Sequence, residues 1–245
     1  IAAAAPTEGS VQIDADTCMS PGSYMAARRA VGGAGKAVDM VMTGEATNAF
    51  VACRPPGHHA ETATPMGFCF FGNVAIAAKH ALERHGLSRV AMVDFDVHHG
   101  NGTQDLLKSE ARALFTSSHQ MPLWPGSGAA SETVDHNNIL NIPLAPGTGS
   151  QSFRSTYEGM VFPALEEFAP ELLIISAGFD AHEADPLANL NFTDGDFEWV
   201  TQKLCAITAI HAEGRVVSCL EGGYDLGALE RAGALHVDAL IRAGG

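Results

Sequence analysis

The chain is short of positive charge: 14 Lys and Arg stand against 28 Asp and Glu, a formal charge of −14 over 245 residues. That deficit excludes a protein whose main task is gripping a nucleic-acid backbone, which needs a basic face. It also disfavours docking on an anionic bilayer, so neither nucleic acid nor membrane is expected as a partner. Cysteine is scarce. The five that occur (Cys18, Cys53, Cys69, Cys205, Cys219) are odd in number and contain no C-x-x-C pair; a disulfide scaffold is not expected, and a reducing, cytoplasmic setting is. No run of about 18 or more apolar residues is present to span a membrane. The start, Ile1-Ala-Ala-Ala-Ala5, lacks both an initiator Met and the basic residues of a signal peptide, which reads as a fragment or a trimmed chain.

What the chain does have is enough apolar residue for a large core. Hydrophobic residues make up 46% and charged residues 17%, which excludes wholesale disorder. Short β-rich runs at 48–53, 89–95, 113–117, 138–144, 171–177 and 215–220 alternate with helix-like stretches at 23–44, 74–85, 152–168, 194–212 and 226–241. Val90-Ala-Met-Val93 and Leu172-Leu-Ile-Ile175 are apolar on both faces, the pattern of parallel strands covered on each side. Such alternation implies right-handed crossovers and a three-layer αβα sandwich with a mostly parallel central sheet, in one domain over 1–245. Thr193 and Asp225 read as helix N-caps, and Gly86 and Gly214 as C-terminal stops.

In an open parallel sheet, sites form beyond the carboxyl ends of the strands. The unusual polar residues fall there: His58-His59 after the first run, Asp94-x-Asp96-x-His98 after the second, Ser117-Ser118 after the third, Asp180 after the fifth and Glu221-Gly-Gly-Tyr224 after the sixth. The period of two in Asp94, Asp96 and His98 turns three side chains the same way in extended backbone. Two carboxylates and an imidazole on one face call for a cation among them. Their chemistry suits zinc or another first-row ion, with Asp180 arriving from another strand end as a third ligand. The bland alternative is a set of helix caps and solvated loop acids. A non-ligating imidazole such as His58 or His59 beside such an ion would serve as general base.

These segments closely resemble the zinc-dependent histone deacetylase superfamily. The resemblance is carried by Arg54-Pro-Pro-Gly-His-His-Ala-Glu61, Met66-Gly-Phe-Cys-Phe-Phe71, Asp94-Phe-Asp-Val-His-His-Gly-Asn-Gly-Thr-Gln104, Ser176-Ala-Gly-Phe-Asp180 and Leu220-Glu-Gly-Gly-Tyr224. Its class II-like branch, with bacterial deacetylase-like amidohydrolases and acetylpolyamine amidohydrolases, is nearest. The resemblance implies an arginase-like αβα fold and a hydrolase acting on acetylated lysine or acetylated polyamines. It implies zinc on Asp96, His98 and Asp180, the tandem pair His58 and His59 with His59 as proton shuttle, Asp94 orienting His59, and Asn101 as the partner of His58. Tyr224 would hydrogen-bond the substrate carbonyl, Asp16 would stand at the rim, and Gly67, Phe68, Trp124 and Leu187 would line a narrow acyl tunnel. A structural potassium ion would draw on the Asp94 and Ser117 side chains and on the carbonyls of Asp96, His98 and Ser118.

Two departures stand out. Gly72 precedes Asn73 where the family often has Asn-Asn, and the family's N-terminal strand and one tunnel wall, normally upstream of Asp14, are expected to be missing. Two rival readings are an arginase-like dimetal hydrolase, which wants more carboxylates, and a catalytically silent acyl-lysine binding module, which needs no base and oxyanion donor together. Oligomeric state is not legible.

Overall fold

A computed structural model describes residues 1–132, 134 and 136–245. A small antiparallel pair, β1 (Val11–Gln12) and β2 (Cys18–Met19), leads into α1 (Ser23–Met42). There follow β3 (Asn48–Val51), α2 (Asn73–Arg84), β4 (Val90–Asp94), α3 (Asn101–Leu107), β5 (Ala113–Gln120) and β6 (Ile139–Leu144). The remainder is α4 (Ser150–Thr156), a π turn (Tyr157–Val161), α5 (Phe162–Phe168), β7 (Leu172–Ala177), α6 (Asp194–His211), β8 (Val216–Leu220) and α7 (Leu226–Gly244). Six strands form one parallel sheet in the order β3-β8-β7-β4-β5-β6.

Strand periodicity divides the core. Val90, Met92, Leu172 and Ile174 face α1, α2 and α3, packing with Val38, Val41, Ala78, Leu82 and Leu107. Their alternates Ala91, Val93, Leu173 and Ile175 face the other layer, against Phe153, Leu165, Phe197, Val200 and Leu240. A strand covered on both sides must be apolar at every position, and β4 and β7 are buried throughout. The αβα sandwich read from the sequence is therefore the fold.

The element ends follow local chemistry. Thr193 and Asp196 form a reciprocal capping box at the start of α6, and the Asp225 carboxylate accepts from the Ala228 N–H to open α7. Three differences from the sequence reading have physical causes. The stretch read as one helix over 152–168 carries a π turn before Pro163, whose missing N–H loosens the ladder at the start of α5. β5 runs on to Gln120, because the polar Ser117-Ser118-His119-Gln120 is buried rather than solvated. α3 was not anticipated, being too short to show a helical period.

Candidate active site

The strand order brings three chain-distant ends together, since β8, β7 and β4 are neighbours. Asp96 and His98 follow β4, Asp180 follows β7, and Gly222 and Tyr224 follow β8. His98 Nδ1 lies 3.2 Å from Asp96 Oδ1 and 3.2 Å from Asp180 Oδ2. The three ligating atoms are within 4.8 Å of one another. Asp96 and Asp180 are buried. Neighbouring backbone fixes the two carboxylates: Gly222 N–H donates to Asp96 Oδ2 (2.8 Å) and Val97 N–H to Asp180 Oδ1 (2.9 Å). Gly222 has to be glycine, because a Cβ there would collide with the carboxylates of Asp180 and Asp96.

The donor set fits a first-row divalent ion. Ligand bonds of about 2.0–2.1 Å in a tetrahedron put donor atoms about 3.3 Å apart, close to the two 3.2 Å separations seen. Asp180 Oδ2 is buried yet accepts no hydrogen bond among the described residues, an uncompensated acceptor that a cation would satisfy. The charges point the same way. Burial and the Asp96 charge push Asp180 up to about 6. Burial opposes a charged His98, but the adjacent Asp180 and Asp96 carboxylates prevail and raise it to about 10. Two carboxylates here demand positive charge.

Beside this cluster stand the tandem imidazoles, their rings 3.8 Å apart. His58 Nδ1 is 3.0 Å from Asp94 Oδ2, and His59 Nδ1 is 2.8 Å from Asn101 Oδ1. This corrects the sequence reading, which had Asp94 orienting His59 and Asn101 partnering His58. The reversal has a local cause. The N–H groups of Gly102 and Thr103 both donate to the His58 carbonyl (2.9 and 3.1 Å), so the start of α3 docks on this loop and sets Asn101 next to His59. His58 turns the other way, to the end of β4.

Burial works against a charged His58, but the Asp96 and Asp94 carboxylates outweigh it and hold the ring well above the usual imidazole range. Burial and the neighbouring His58 push His59 well below it. One imidazole is thus kept charged and the other neutral. Tyr224 is raised by burial and by the negative Asp96 and Asp180, so its phenol stays protonated as a donor.

A pocket of about 220 Å3 opens above these groups. His58, His59, His98 and Tyr224 line its floor, and every residue assigned to the substrate from sequence lines it too: Asp16, Gly67, Phe68, Trp124 and Leu187. Phe68, Trp124 and Leu187 are 37, 41 and 47% exposed, which makes them a rim rather than core. Trp124 packs edge-on to His59 at 4.6 Å, and Phe68 edge-on to Tyr224 at 6.0 Å. Gly67 takes φ +56°, and a Cβ on it would strike both the His59 ring and Trp124. The Asp16 carboxylate accepts from Gly67 N–H at 3.2 Å, tying the rim to the segment between β1 and β2. Asp94 and Ser117, named for a potassium ion, are register partners, Asp94 at the end of β4 and Ser117 within β5. Ser117 Oγ is 3.0 Å from His119 Nδ1, and Ser118 Oγ is 2.8 Å from the Tyr157 hydroxyl.

Three acids escaped the sequence reading. Glu221 Oε2 accepts from the N–H groups of Gly57 (2.7 Å) and His58 (3.2 Å), clamping the tandem-histidine loop to β8. Burial pushes its carboxyl up to about 7. Asp185 Oδ2 accepts from the N–H groups of Tyr224 and Asp225, while its Oδ1 accepts from Leu187 N–H. Glu61 Oε1 accepts from Asn101 Nδ2 at 2.7 Å. The only signal available was that Glu61 and Glu221 lie inside the motifs; nothing marked Asp185.

Known proteins resemble this chain over most of its length. Residues 2–240 match the family model of the histone deacetylase domain. A histone deacetylase-like amidohydrolase of Pseudomonas aeruginosa is 41% identical over 88% of the chain, and a probable deacetylase of Archaeoglobus fulgidus is 41% identical over 87%. The chain spans 58 and 60% of the length of those two proteins. The crystal structure of the HDA15 HD domain superposes with a TM-score of 0.90 at 34% identity, covering 95% of this chain and 66% of that one.

Proposed function

Because the chain belongs to the histone deacetylase family, we propose that it is a zinc-dependent hydrolase removing acetyl or other short acyl groups from acetylated lysine side chains or acetylated polyamines. The observation that carries this is the convergence of His98 Nδ1 with Asp96 Oδ1 and Asp180 Oδ2, at 3.2 Å each, beneath a pocket that also holds a neutral imidazole and a phenol. Asp96, His98 and Asp180 would hold the ion, which when bound supplies Lewis-acid polarisation of the amide and acidifies an attacking water. A potassium ion on Asp94 and Ser117, with the carbonyls of Asp96, His98 and Ser118, belongs to the same proposal.

The chain's own groups then divide the work. Phe68, Trp124 and Leu187 admit a slender alkyl chain and shield it from water, and Asp16 at the rim attracts a cationic carrier. Tyr224 donates a hydrogen bond to the acyl oxygen as negative charge builds there. His59 Nε2 takes a proton from water and delivers it to the departing amine. His58, its Nδ1 proton on Asp94, places fixed positive charge beside that exchange. Products are a free amine and a carboxylate. A cytoplasmic setting suits the five free cysteines, and among the described residues no helix is long and apolar enough to cross a membrane.

The test is to incubate purified protein with an acetyl-lysine peptide and with acetylspermidine, with chelator and after zinc is restored. Chelator-sensitive release of acetate from either substrate supports the proposal. Binding without product in both arms overturns it in favour of a silent reader, and urea from arginine in favour of an arginase-like hydrolase.

A further inference from the structure

α1 and α2 pack side by side over one face of the sheet, and near their ends a second set of ligating groups meets, none of them lining the pocket. Asp39 comes from the last turns of α1. His80 comes from α2, and His85 is the residue that caps it. His80 Nε2 lies 2.7 Å and His85 Nε2 2.8 Å from the same oxygen, Asp39 Oδ1. All three donor atoms fall within 4.8 Å of one another.

We propose that Asp39, His80 and His85 form a second site for a divalent first-row ion such as zinc, clipping α1 to α2. Two imidazoles and one carboxylate are a borderline donor set, suited to zinc, cobalt or nickel rather than to calcium or magnesium. Among the described residues neither Nδ1 and no Asp39 Oδ2 has a hydrogen-bond partner. Each ring can therefore carry its proton on Nδ1 towards solvent and turn the Nε2 lone pair inward, as a ligand must. The three side chains are partly exposed, at 44, 31 and 18% for Asp39, His80 and His85. That exposure leaves space for water to complete the coordination shell. Donor separations across a tetrahedral ion are about 3.3 Å, so each ring has to swing outward by a few tenths of an ångström, which partly exposed side chains allow. His85 also sits at the negative end of the α2 dipole, which favours a cation there.

The competing explanation is a plain hydrogen-bonded clamp, with protons rather than a metal between the rings and Asp39. Titrating metal-free protein with Zn2+ in a calorimeter separates the two. The parent chain is expected to bind one equivalent more than the double variant His80→Gln/His85→Gln. The same difference of one is expected in an Asp180→Asn background, where the pocket cluster is broken, so the result does not depend on whether the pocket takes zinc. Equal stoichiometry in parent and double variant overturns the proposal. Should the double variant fail to fold, Asp39→Asn keeps an acceptor for both rings and removes the charged ligand. Zinc affinity at this site should then fall by more than the roughly tenfold that loss of an outer-shell partner costs, and unchanged affinity overturns the proposal.

Discussion

The Asn101 side chain has one sensible orientation. Glu61 Oε1 is an acceptor, so it takes the Asn101 amide N–H, and Asn101 Oδ1 is left to accept from His59 Nδ1. The His59 proton is thereby pinned to Nδ1 and the Nε2 lone pair faces the pocket, the tautomer a general base needs. Removing Glu61 frees the amide to turn over. Glu61→Ala is therefore expected to lower kcat by about 10- to 100-fold, in line with the roughly 1.5–3 kcal/mol of a hydrogen bond to a charged group, with KM little changed. Glu61→Gln, which keeps a carbonyl acceptor, should recover most of the loss in the same kinetic assay. Tyr224→Phe removes the phenol proton alone and is expected to cost about 10²–10³ in kcat, the usual effect of losing one oxyanion donor. An activity within tenfold of the parent would remove Tyr224 from the mechanism.

At the scale of elements, α7 is held by a buried imidazole that cannot afford a charge. His236 is sandwiched between Thr201 of α6 and Ser218 of β8, with ring nitrogens 2.6 and 2.8 Å from their hydroxyls. Burial drives it down to about 3. The unfolded chain protonates this residue below about pH 6.5, whereas the folded chain does not until near pH 3. Between those limits the unfolded state binds the extra proton, so stability falls as pH falls, by about 1.4 kcal/mol per pH unit from this residue. Above pH 6.5 or so the contribution is complete and constant. Denaturant melts from pH 7 to pH 4 should show a shallower acid slope for His236→Gln than for the parent, whatever the variant's absolute stability. Parallel slopes would mean that water reaches the ring. Cap chemistry belongs to this scale too: Asp225→Ala removes the acceptor for Ala228 N–H and is expected to cost about 1 kcal/mol. The same helix start carries Tyr224 into the pocket, so the loss should appear in kcat as well as in Tm.

For the molecule as a whole, the net charge of −14 sets up a field that favours cationic substrates. Raising ionic strength from about 0.01 M to about 1 M shortens the screening length from about 30 Å to about 3 Å. Over that range kcat/KM for acetylspermidine should fall by about tenfold, while that for a neutral acetyl-lysine peptide should stay nearly flat. A flat response for both would show that the rim, not the field, selects the substrate. Loading of the proposed zinc site would be a whole-molecule property as well, because Asp96 and His98 follow β4 whereas Asp180 follows β7. At zinc about a hundredfold above its Kd the folded state gains about 2.7 kcal/mol, a rise in Tm on the order of 5–10 °C for a chain of this size. Chelation should reverse the shift together with turnover, and a Tm indifferent to zinc would argue against the site.

Much of this was readable along the chain because it rests on local repetition. The both-face apolar runs of β4 and β7 announced a covered parallel sheet, whereas the period of two in Asp94, Asp96 and His98 was only partly met: β4 ends at Asp94, which turns to His58, and Asp96 and His98 alone join Asp180 in the cluster. The capping signals at Thr193 and Asp225 were legible for the same reason: each acts within four residues. Which imidazole Asp94 holds, where Asn101 points, and how Glu61, Asp185 and Glu221 fasten the tandem histidines and Tyr224 were decided only by tertiary structure. Those bonds join groups from 36 to 164 residues apart, and their direction depends on how α3 docks against the histidine loop. The meeting of Asp39 with His80 and His85 is of that kind also. Local sequence dictates periodicity and caps, whereas side-chain partnership across the sheet is set by strand order and helix docking, which no stretch of a few residues encodes.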